Sequence, residues 1–272
     1  MASSSIMTLS QLMTAVRQRA DMAPSDYTPN LTSTNYFVTE PELISYINQS
    51  YFELYDLLVT TNEQYYLGTP VIFNTDGVSQ LYPIPDGTRT FINGLTGAPG
   101  FVAPALYKLA GIELGQGAQG NNAWMTLERF QFIERNKYIY PQITSTYLGV
   151  FNLKYDLVGQ NIMFIPVPAG NQPVRMWYVP ELITLAALTD QCDGISGWTE
   201  YIIVDSARKC AQKEESDELV ASLNIDKAAL IKRINDSAAN RDVGQPATIS
   251  DTRNRASNGW GGPGFNGSFG GY

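Results

Sequence analysis

Apolar residues recur every three or four positions near both ends of the chain, which is the spacing of amphipathic helices. The first such pattern predicts a helix over residues 8–20. At the start of the second, Thr39 and Glu42 form a capping box and Pro41 occupies the first turn, where proline is tolerated. The apolar stripe of this second helix consists of Leu43, Ile47, Tyr51, Leu54 and Leu58.

From about residue 65 the pattern changes to short apolar runs and strict alternation, which predict strands. These strands are 71–73, 81–85, 106–114, 151–157, 162–165 and 174–179. The segment 81–85 is an edge strand, because its prolines cannot donate to a neighbouring strand. The last three strands are joined by two turns and predict an antiparallel meander.

Helical spacing interrupts the strands once and then returns near the end of the chain. The spacing of apolar residues predicts one helix at 124–137 and a helical hairpin formed by 198–223 and 226–239. The inward-facing residues of the helix at 124–137 are Leu127, Phe130 and Ile133.

This order of elements predicts an α+β protein. In the most economical arrangement, the N-terminal and C-terminal helices pack together as a helical core that carries an antiparallel β-domain as an insertion. The predicted parts are N-terminal helices at 1–64, the β-rich domain at 65–190, the helical hairpin at 191–240 and an extended tail at 241–272.

Composition removes several classes of function. The 272-residue chain contains no histidine, so a Ser-His-Asp triad is impossible and the commonest metal ligand is missing. Carboxylate pairs and a Mg²⁺ site of oxygen ligands remain available, but we assign no residue to catalysis, to a cofactor or to a metal. The net charge of −8 argues against wrapping nucleic acid by counterion release.

Two further features concern the compartment. The chain has no apolar run of membrane-spanning length and no secretory pattern at its first residues, so we expect no membrane partner and assembly in a cytoplasm. Cys192 and Cys210 do not form a disulfide framework, and small, partly buried thiols are the favoured interpretation.

Residues 115–120 match the glycine pattern G-x-G-x-x-G. A dinucleotide site needs that pattern inside a parallel βαβ unit, with an acidic residue about 20 positions later at the end of the second strand. Glu134 has the spacing but falls in the predicted helix, and the surrounding strands are antiparallel. A connecting loop is the favoured interpretation.

The segment 190–194 contains Asp190 and Asp193 and suggests cation binding at first sight. It lacks the spaced oxygen ligands of a calcium loop, so a polar turn that caps the helix beginning near Trp198 is favoured.

Charged residues of the predicted hairpin are candidate contacts between copies of the chain. The acidic ones are Glu214, Glu215, Asp217 and Glu218, and the basic ones are Lys227, Lys232 and Arg233. The acidic run admits three interpretations: paired catalytic carboxylates, a solvated helix face, or a surface that contacts a neighbour. Phosphate contact is possible for the basic residues, but pairing with an acidic patch on an adjoining copy is favoured.

The tail combines glycine with aromatic residues and shows no periodicity. Ordering it costs about 1–2 kcal/mol per residue, which a lone chain recovers poorly and a partner's pockets can offset. The predicted docking residues of the tail are Arg241, Asp242, Val243, Gly244, Gln245, Pro246, Arg253, Trp260, Phe265, Phe269 and Tyr272.

Six segments in this order resemble the head-to-tail adaptor, or connector, proteins of tailed bacteriophages. They are LYKLAGI at 106–112, TLERFQFIERN at 126–136, YDLVGQNIMFIP at 155–166, WYVP at 177–180, DGISGWTEYI at 193–202 and NRDVGQP at 240–246. The similarity extends from about the second helix to Arg253.

The resemblance implies a structural protein of the virion neck, without catalytic residues. It implies a ring of about twelve copies beneath the portal protein, with the C-terminal segment docked on the portal and the β-region facing tail or nozzle proteins. DNA would pass through the channel during packaging and ejection without sequence-specific binding. Two alternatives remain open: another ring of the tail or neck, such as a tail tube or nozzle, and a carbohydrate-binding or carbohydrate-cleaving module.

Overall fold

The computed structural model describes residues 7–22, 27–34, 36–61, 63–116, 123–136, 153–192 and 198–239. This part contains both α-helices and β-sheets, so the predicted α+β class is confirmed. Its four α-helices are α1 (Leu9–Arg19), α2 (Glu40–Thr61), α3 (Thr199–Lys213) and α4 (Asp217–Ala239).

Local side-chain caps explain where the first two helices begin. The Thr8 hydroxyl accepts from the Gln11 N–H at 3.3 Å, and the Gln11 side chain accepts from the Thr8 N–H at 2.9 Å, which is a complete capping box. At α2 the Thr39 N–H and hydroxyl both donate to the Glu42 carboxylate, at 2.9 and 3.0 Å.

The four helices share one buried apolar cluster. The stripe predicted for α2 is buried throughout and faces this cluster. Other members come from α1, α3 and α4, and include Leu9, Leu12, Met13, Val16, Ile202, Val204, Leu223, Leu230 and Ile234. Burial of this shared face stabilises the helices more than their intrinsic propensity does.

The predicted boundary between the last two helices, near residues 223–226, is wrong. The chain breaks at Glu215, whose φ is +59°, and the Ser216 N–H donates to the Ala211 carbonyl at 3.1 Å. With the Glu215 N–H donating to the Gln212 carbonyl at 3.3 Å, this is a Schellman motif. Apolar residues keep their helical spacing on both sides of this break, so the sequence pattern did not reveal it.

Ten strands occur in the described part of the chain, arranged in two sheets. They are β1 (Val71–Asn74), β2 (Leu81–Pro83), β3 (Thr90–Asn93), β4 (Phe101–Val102), β5 (Leu106–Gln116), β6 (Ala123–Thr126), β7 (Glu128–Arg129), β8 (Lys154–Val158), β9 (Asn161–Ile165) and β10 (Pro173–Pro180). The six-stranded sheet has the order β4-β3-β1-β10-β5-β6 and the four-stranded sheet the order β2-β9-β8-β7. Strand β2 lies at an edge, as its prolines predicted.

The predicted three-strand meander is only half right. Strands β8 and β9 pair antiparallel, but β10 lies in the other sheet between β1 and β5. There Met176 is opposite both Val71 and Ile112. Alternation and turn residues identify a strand but not its partner, and the partners of β10 are about 60 to 100 residues away.

The helix predicted at 124–137 is also wrong. The chain forms β6, then β7, then a 3₁₀ turn at Phe132–Glu134, and within the described part of this range only residues 135–136 are α-helical. Leu127 donates its N–H to a carbonyl of one sheet and Phe130 to a carbonyl of the other, both at 2.9 Å. Leu127 and Phe130 are buried, whereas Ile133 is 90% exposed. The three-residue spacing of Leu127 and Phe130 therefore comes from a chain that crosses from one sheet to the other, and not from a helical turn.

The two sheets bury one apolar cluster between them. The six-stranded sheet contributes Val71, Ile112, Leu114, Val174, Met176 and Tyr178, and the four-stranded sheet contributes Tyr82, Tyr155, Ile162 and Phe164. Among the described helices, none is both long enough and apolar enough to cross a bilayer.

The crossing between sheets gives the first prediction. We expect Phe130→Ala to lower the free energy of unfolding by about 3–5 kcal/mol, because it leaves a cavity in place of a side chain that is only 3% exposed. Ile133→Ala is the matched control and should change it by less than about 0.5 kcal/mol. Urea unfolding measures both values. Similar losses for the two variants would contradict the crossing between sheets. They would instead support the predicted helix, in which Leu127, Phe130 and Ile133 all face inward.

Candidate interaction surfaces

A buried cluster of charges joins α2, α3 and α4. The Asp205 side chain is completely buried and accepts from the Ser50 hydroxyl at 2.7 Å. Three cations also reach its carboxylate: Arg208, Lys209 and Lys227, each at 2.8 Å. Burial by itself raises the pKa of Asp205, but the hydrogen bonds from Lys209, Lys227, Ser50 and Arg208 outweigh it and hold that pKa well below its usual range.

Glu53 on α2 extends this cluster toward the solvent. It accepts from Lys209 at 3.1 Å, from Lys227 at 2.9 Å and from the Tyr201 hydroxyl at 3.3 Å. Burial acts to raise the pKa of Glu53, yet the lysine hydrogen bonds leave it lowered. Lys227 had been predicted as a contact with another copy of the chain. The structure places it in this intramolecular cluster, 20% exposed.

The other predicted contact residues of the hairpin are exposed. Glu214, Glu215, Asp217 and Glu218 lie at the turn into α4, and Lys232 and Arg233 lie fifteen residues further along that helix. At 1.5 Å per residue the acidic and basic ends are about 22 Å apart. Ile225 stands between them and is 72% exposed. The outer face of α4 thus carries carboxylates at its start and Ile225 in the middle, and Lys232 and Arg233, with Asp236 beside them, near its end.

The outer face of the six-stranded sheet carries an aromatic platform. Arg175 donates to Glu113 at 2.6 Å, and the Trp177 indole N–H donates to the same carboxylate at 3.1 Å. The Arg175 guanidinium lies 4.2 Å from the ring centre of Trp124 and 5.4 Å from that of Trp177. These pairs fix the side chains in place.

A tyrosine joint connects the helices to the six-stranded sheet. The Tyr55 hydroxyl on α2 donates to the Pro180 carbonyl at 2.6 Å. The Tyr55 ring packs edge-on against Tyr66 and Tyr107, at centroid distances of 4.8 and 5.5 Å. Tyr107 also donates a hydrogen bond to Asp56. These contacts tie the central strands β5 and β10 to α2.

The structure excludes a parallel βαβ unit at the glycine pattern. Strands β5 and β6 flank it and pair antiparallel, with Gly115 opposite Trp124, and Glu134 lies in the 3₁₀ turn. Residues 117–122 lie outside the described part. The pattern therefore belongs to a hairpin connection rather than to a dinucleotide-binding turn.

Asp190 caps a local turn rather than α3. Its carboxylate accepts from the N–H groups of Ala186 and Ala187 at 2.8 and 2.7 Å, and these bonds lower its pKa. The N-cap position of α3 is Trp198, whose side chain makes no capping bond. Asp193 and the rest of 193–197 lie outside the described residues.

Within the part of the chain that the structure describes, no group of three or more acidic or cysteine side chains is placed to hold a metal ion. Neither Cys192 nor Cys210 is in a disulfide and both are buried, and burial raises the pKa of Cys210 to about 12. The predicted tail residues, from Arg241 to Tyr272, all lie outside the described part.

Comparison with protein-family models gave no match, and comparison with curated proteins gave none either. Support for a function therefore comes from the geometry of the chain and from the sequence resemblance.

Sequence reasoning missed the Asp205 cluster. The available signal was the spacing of Asp205, Arg208 and Lys209, which are three and four residues apart and so share a helix face. Ser50 and Glu53, which lie about 150 residues earlier, had no such signal.

The cluster gives the second prediction. Asp205→Asn should lower the free energy of unfolding by about 3–5 kcal/mol at pH 7, because it removes the buried anion shared by three cations that are only 12–20% exposed. Asp217→Asn is the matched control on an exposed carboxylate and should change it by less than about 0.5 kcal/mol. Chemical denaturation over a pH series measures both.

The same series tests the direction of the pKa shift. Because the folded-state pKa of Asp205 is lowered, its stabilisation is complete above about pH 5 and is lost as pH falls below about 4. The stability difference between the wild type and Asp205→Asn should therefore shrink from pH 4 to pH 2. A stability difference that stays constant from pH 4 to pH 2 would show that the negative charge of Asp205 does not stabilise the fold.

Proposed function

We propose that this protein is a head-to-tail adaptor of a tailed-bacteriophage particle. About twelve copies form a ring in the virion neck, join the portal to the tail, and surround the channel through which DNA is packaged and ejected. In each copy the early and late helices form the core, the β-domain is an insertion that faces the tail proteins, and the tail at 241–272 docks on the portal. The protein does no bond-making or bond-breaking.

The observation that carries the proposal is the outer face of α4. Its acidic and basic ends are exposed and lie about 22 Å apart, with Ile225 between them. A head-to-tail interface between identical copies needs two different patches that complement each other on one chain. The acidic turn at 214–218 and the basic end at Lys232 and Arg233 are such a pair. Ile225 adds apolar area, which is the usual content of an interface centre.

Two other observations support a mechanical role. The tyrosine joint fixes α2 to the six-stranded sheet by hydrogen bonds and edge-on ring contacts. A load applied to the β-domain would therefore be passed to the helices. The net charge of −8 per copy repels DNA, which suits a channel wall along which DNA slides.

The tail part of the proposal predicts the outcome of a deletion. Removing residues 241–272 should abolish the addition of the purified protein to portal rings, because the aromatic anchors of the tail are lost. Co-sedimentation with portal rings and negative-stain microscopy measure the addition. As a control, Val78→Ser alters a residue exposed on the β-domain and should leave binding unchanged. If the protein without residues 241–272 still binds the portal fully, the tail is not needed for docking.

The ring contact predicts a complementation between two charge-reversed variants. One variant is Glu214→Lys/Asp217→Lys/Glu218→Lys, which makes the acidic turn net positive, and the other is Lys232→Glu/Arg233→Glu. Each alone should fail to form rings on the portal, because like charges then meet at every interface. An equimolar mixture should assemble again, because alternating copies restore opposite charges at every contact. Microscopy counts the rings.

Two outcomes of that experiment would contradict the α4 contact. Either a single variant assembles as well as the wild type, or the mixture assembles no better than its components. Gln131→Lys/Asn136→Lys, which adds positive charge on exposed β-domain positions, is the control and should assemble normally. Cryo-electron microscopy of the particle neck decides between an adaptor and another tail or nozzle ring, since only an adaptor contacts the portal.

A further inference from the structure

The outer face of α4 is symmetric about Ile225. This side chain lies near the middle of the helix and is 72% exposed. Glu218 lies seven residues before it and Lys232 seven residues after it, and both are exposed. Seven residues complete nearly two turns, so each charge lies within about 20° of Ile225 around the axis and about 10 Å from it along the axis. One line of the helix therefore carries an anion, an apolar centre and a cation at equal spacing.

Small side chains fill the face between these three positions. They are Ala221, Ser222, Ala228 and Ala229, and all four are exposed. They too are placed symmetrically, three or four residues on either side of Ile225, and point within about 60° of its direction. Side chains this short let a second helix approach closely, to about 8 Å between the two axes. The face extends for about 21 Å from Glu218 to Lys232.

A second copy of α4, turned end for end about Ile225, matches this face. In that antiparallel arrangement Glu218 of one copy meets Lys232 of the other at both ends of the contact, and Ile225 meets Ile225 at its centre. Ala221 faces Ala229, so small side chains meet small ones. A parallel pair would instead bring Glu218 against Glu218 and Lys232 against Lys232, which is repulsive. The charges therefore select the antiparallel orientation.

The charges that flank the face are compatible with this orientation. Asp217 and Arg233 are exposed and lie eight residues from Ile225 on either side, so they flank the contact with opposite signs on the two helices. Asp236 lies one turn beyond Lys232. Its symmetric position in the other copy is residue 214, which precedes the start of α4. Asp236 therefore lies past the end of the helical contact and does not meet a carboxylate of the partner helix.

The rest of α4 holds this face in a fixed orientation. Leu223, on the opposite side of the helix, is buried in the helical core. Lys227 is bound to the Asp205 carboxylate at 2.8 Å. At one edge of the face, Asp226 accepts from Arg19 of α1 at 2.6 Å, so that carboxylate is already paired within the chain. A second copy would meet a preformed surface and would not have to order it.

We propose that two unassembled copies of this chain pair through the outer faces of α4, antiparallel and with a two-fold axis at Ile225. The contact is isologous, because each copy contributes the same face. A single helix pair buries less than the roughly 1,200 Å² of a stable interface, so the pair is weak and reversible.

Pairing of this kind has a consequence for the proposed ring. The antiparallel pair occupies both charged ends of α4, which the head-to-tail contact also needs. Two paired copies therefore cannot join a ring until they separate, and pairing would restrain ring closure away from the portal. Only this consequence rests on the adaptor proposal. The pair itself needs neither portal nor ring, so its failure is distinct from a failure of that proposal.

Disulfide mapping of the full-length chain tests the contact and its direction. Ile225→Cys should form a covalent dimer with itself under mild oxidation, because the two side chains meet at the axis. Ala221→Cys should crosslink poorly with itself, since two such positions are about 12 Å apart along the axis, but well when mixed with Ala229→Cys. Non-reducing electrophoresis and mass spectrometry measure the products. Val78→Cys, at an 82% exposed position of the β-domain, is the control and should stay monomeric.

Two results of the mapping would overturn the proposal. In the first, Ile225→Cys gives no more dimer than Val78→Cys, which would show that the face is not paired. In the second, Ala221→Cys crosslinks with itself as well as with Ala229→Cys, which would show a parallel or unspecific contact. The native Cys192 and Cys210 are buried and should contribute little background.

A charge exchange provides the second arm. Lys232→Glu places carboxylates opposite each other at both ends of the pair, and we expect dimerisation to weaken by about fivefold or more. Glu218→Lys/Lys232→Glu exchanges the two charges within one chain and should restore it. Sedimentation velocity over a concentration series measures the dimer, and Gln64→Glu/Gln131→Glu is the control with the same change of net charge at exposed positions away from α4. Unchanged dimerisation of Lys232→Glu, or no recovery in the exchanged variant, would overturn the proposal.

Discussion

The Asp205 carboxylate determines how three helices meet. It lies on α3, is completely buried, and is reached by Arg208 and Lys209 of its own helix and by Lys227 of α4. The Ser50 hydroxyl brings α2 to the same point. A buried carboxylate is costly without such partners, so the three helices must keep the one relative position that supplies all of them. Apolar packing alone would tolerate small shifts of one helix past another.

A fixed α2 then positions the rest of the molecule. Its other faces carry Tyr55, which fixes Pro180 at the end of β10, and Asn48, which fixes Leu185. Strand β10 lies in the middle of the six-stranded sheet, so the sheet inherits its orientation from α2. One helix therefore connects the charge cluster to the sheet.

The sequence predicted elements well where the signal was local. The stripe of α2 and the edge position of β2 follow from spacing and from proline chemistry, and both are confirmed. Predictions failed where the deciding partner was distant. Leu127 and Phe130 are buried, as predicted, but in a crossing between two sheets, because their backbone partners are Ile112 and Tyr155. The Schellman motif at Glu215 carries no glycine, so the usual marker of a helix end was absent.

The phase of α4 explains why its lysines have different roles. Residues of an α-helix are separated by about 100°, so Lys227 and Lys232 lie about 140° apart around the axis. The apolar face of α4, with Leu223, Leu230 and Ile234, packs on the core and turns Lys227 toward Asp205 and Glu53. It leaves Lys232 exposed, on the outer face with Ile225. Composition counts both as positive charge, but helix phase turns Lys227 into the fold and leaves Lys232 exposed.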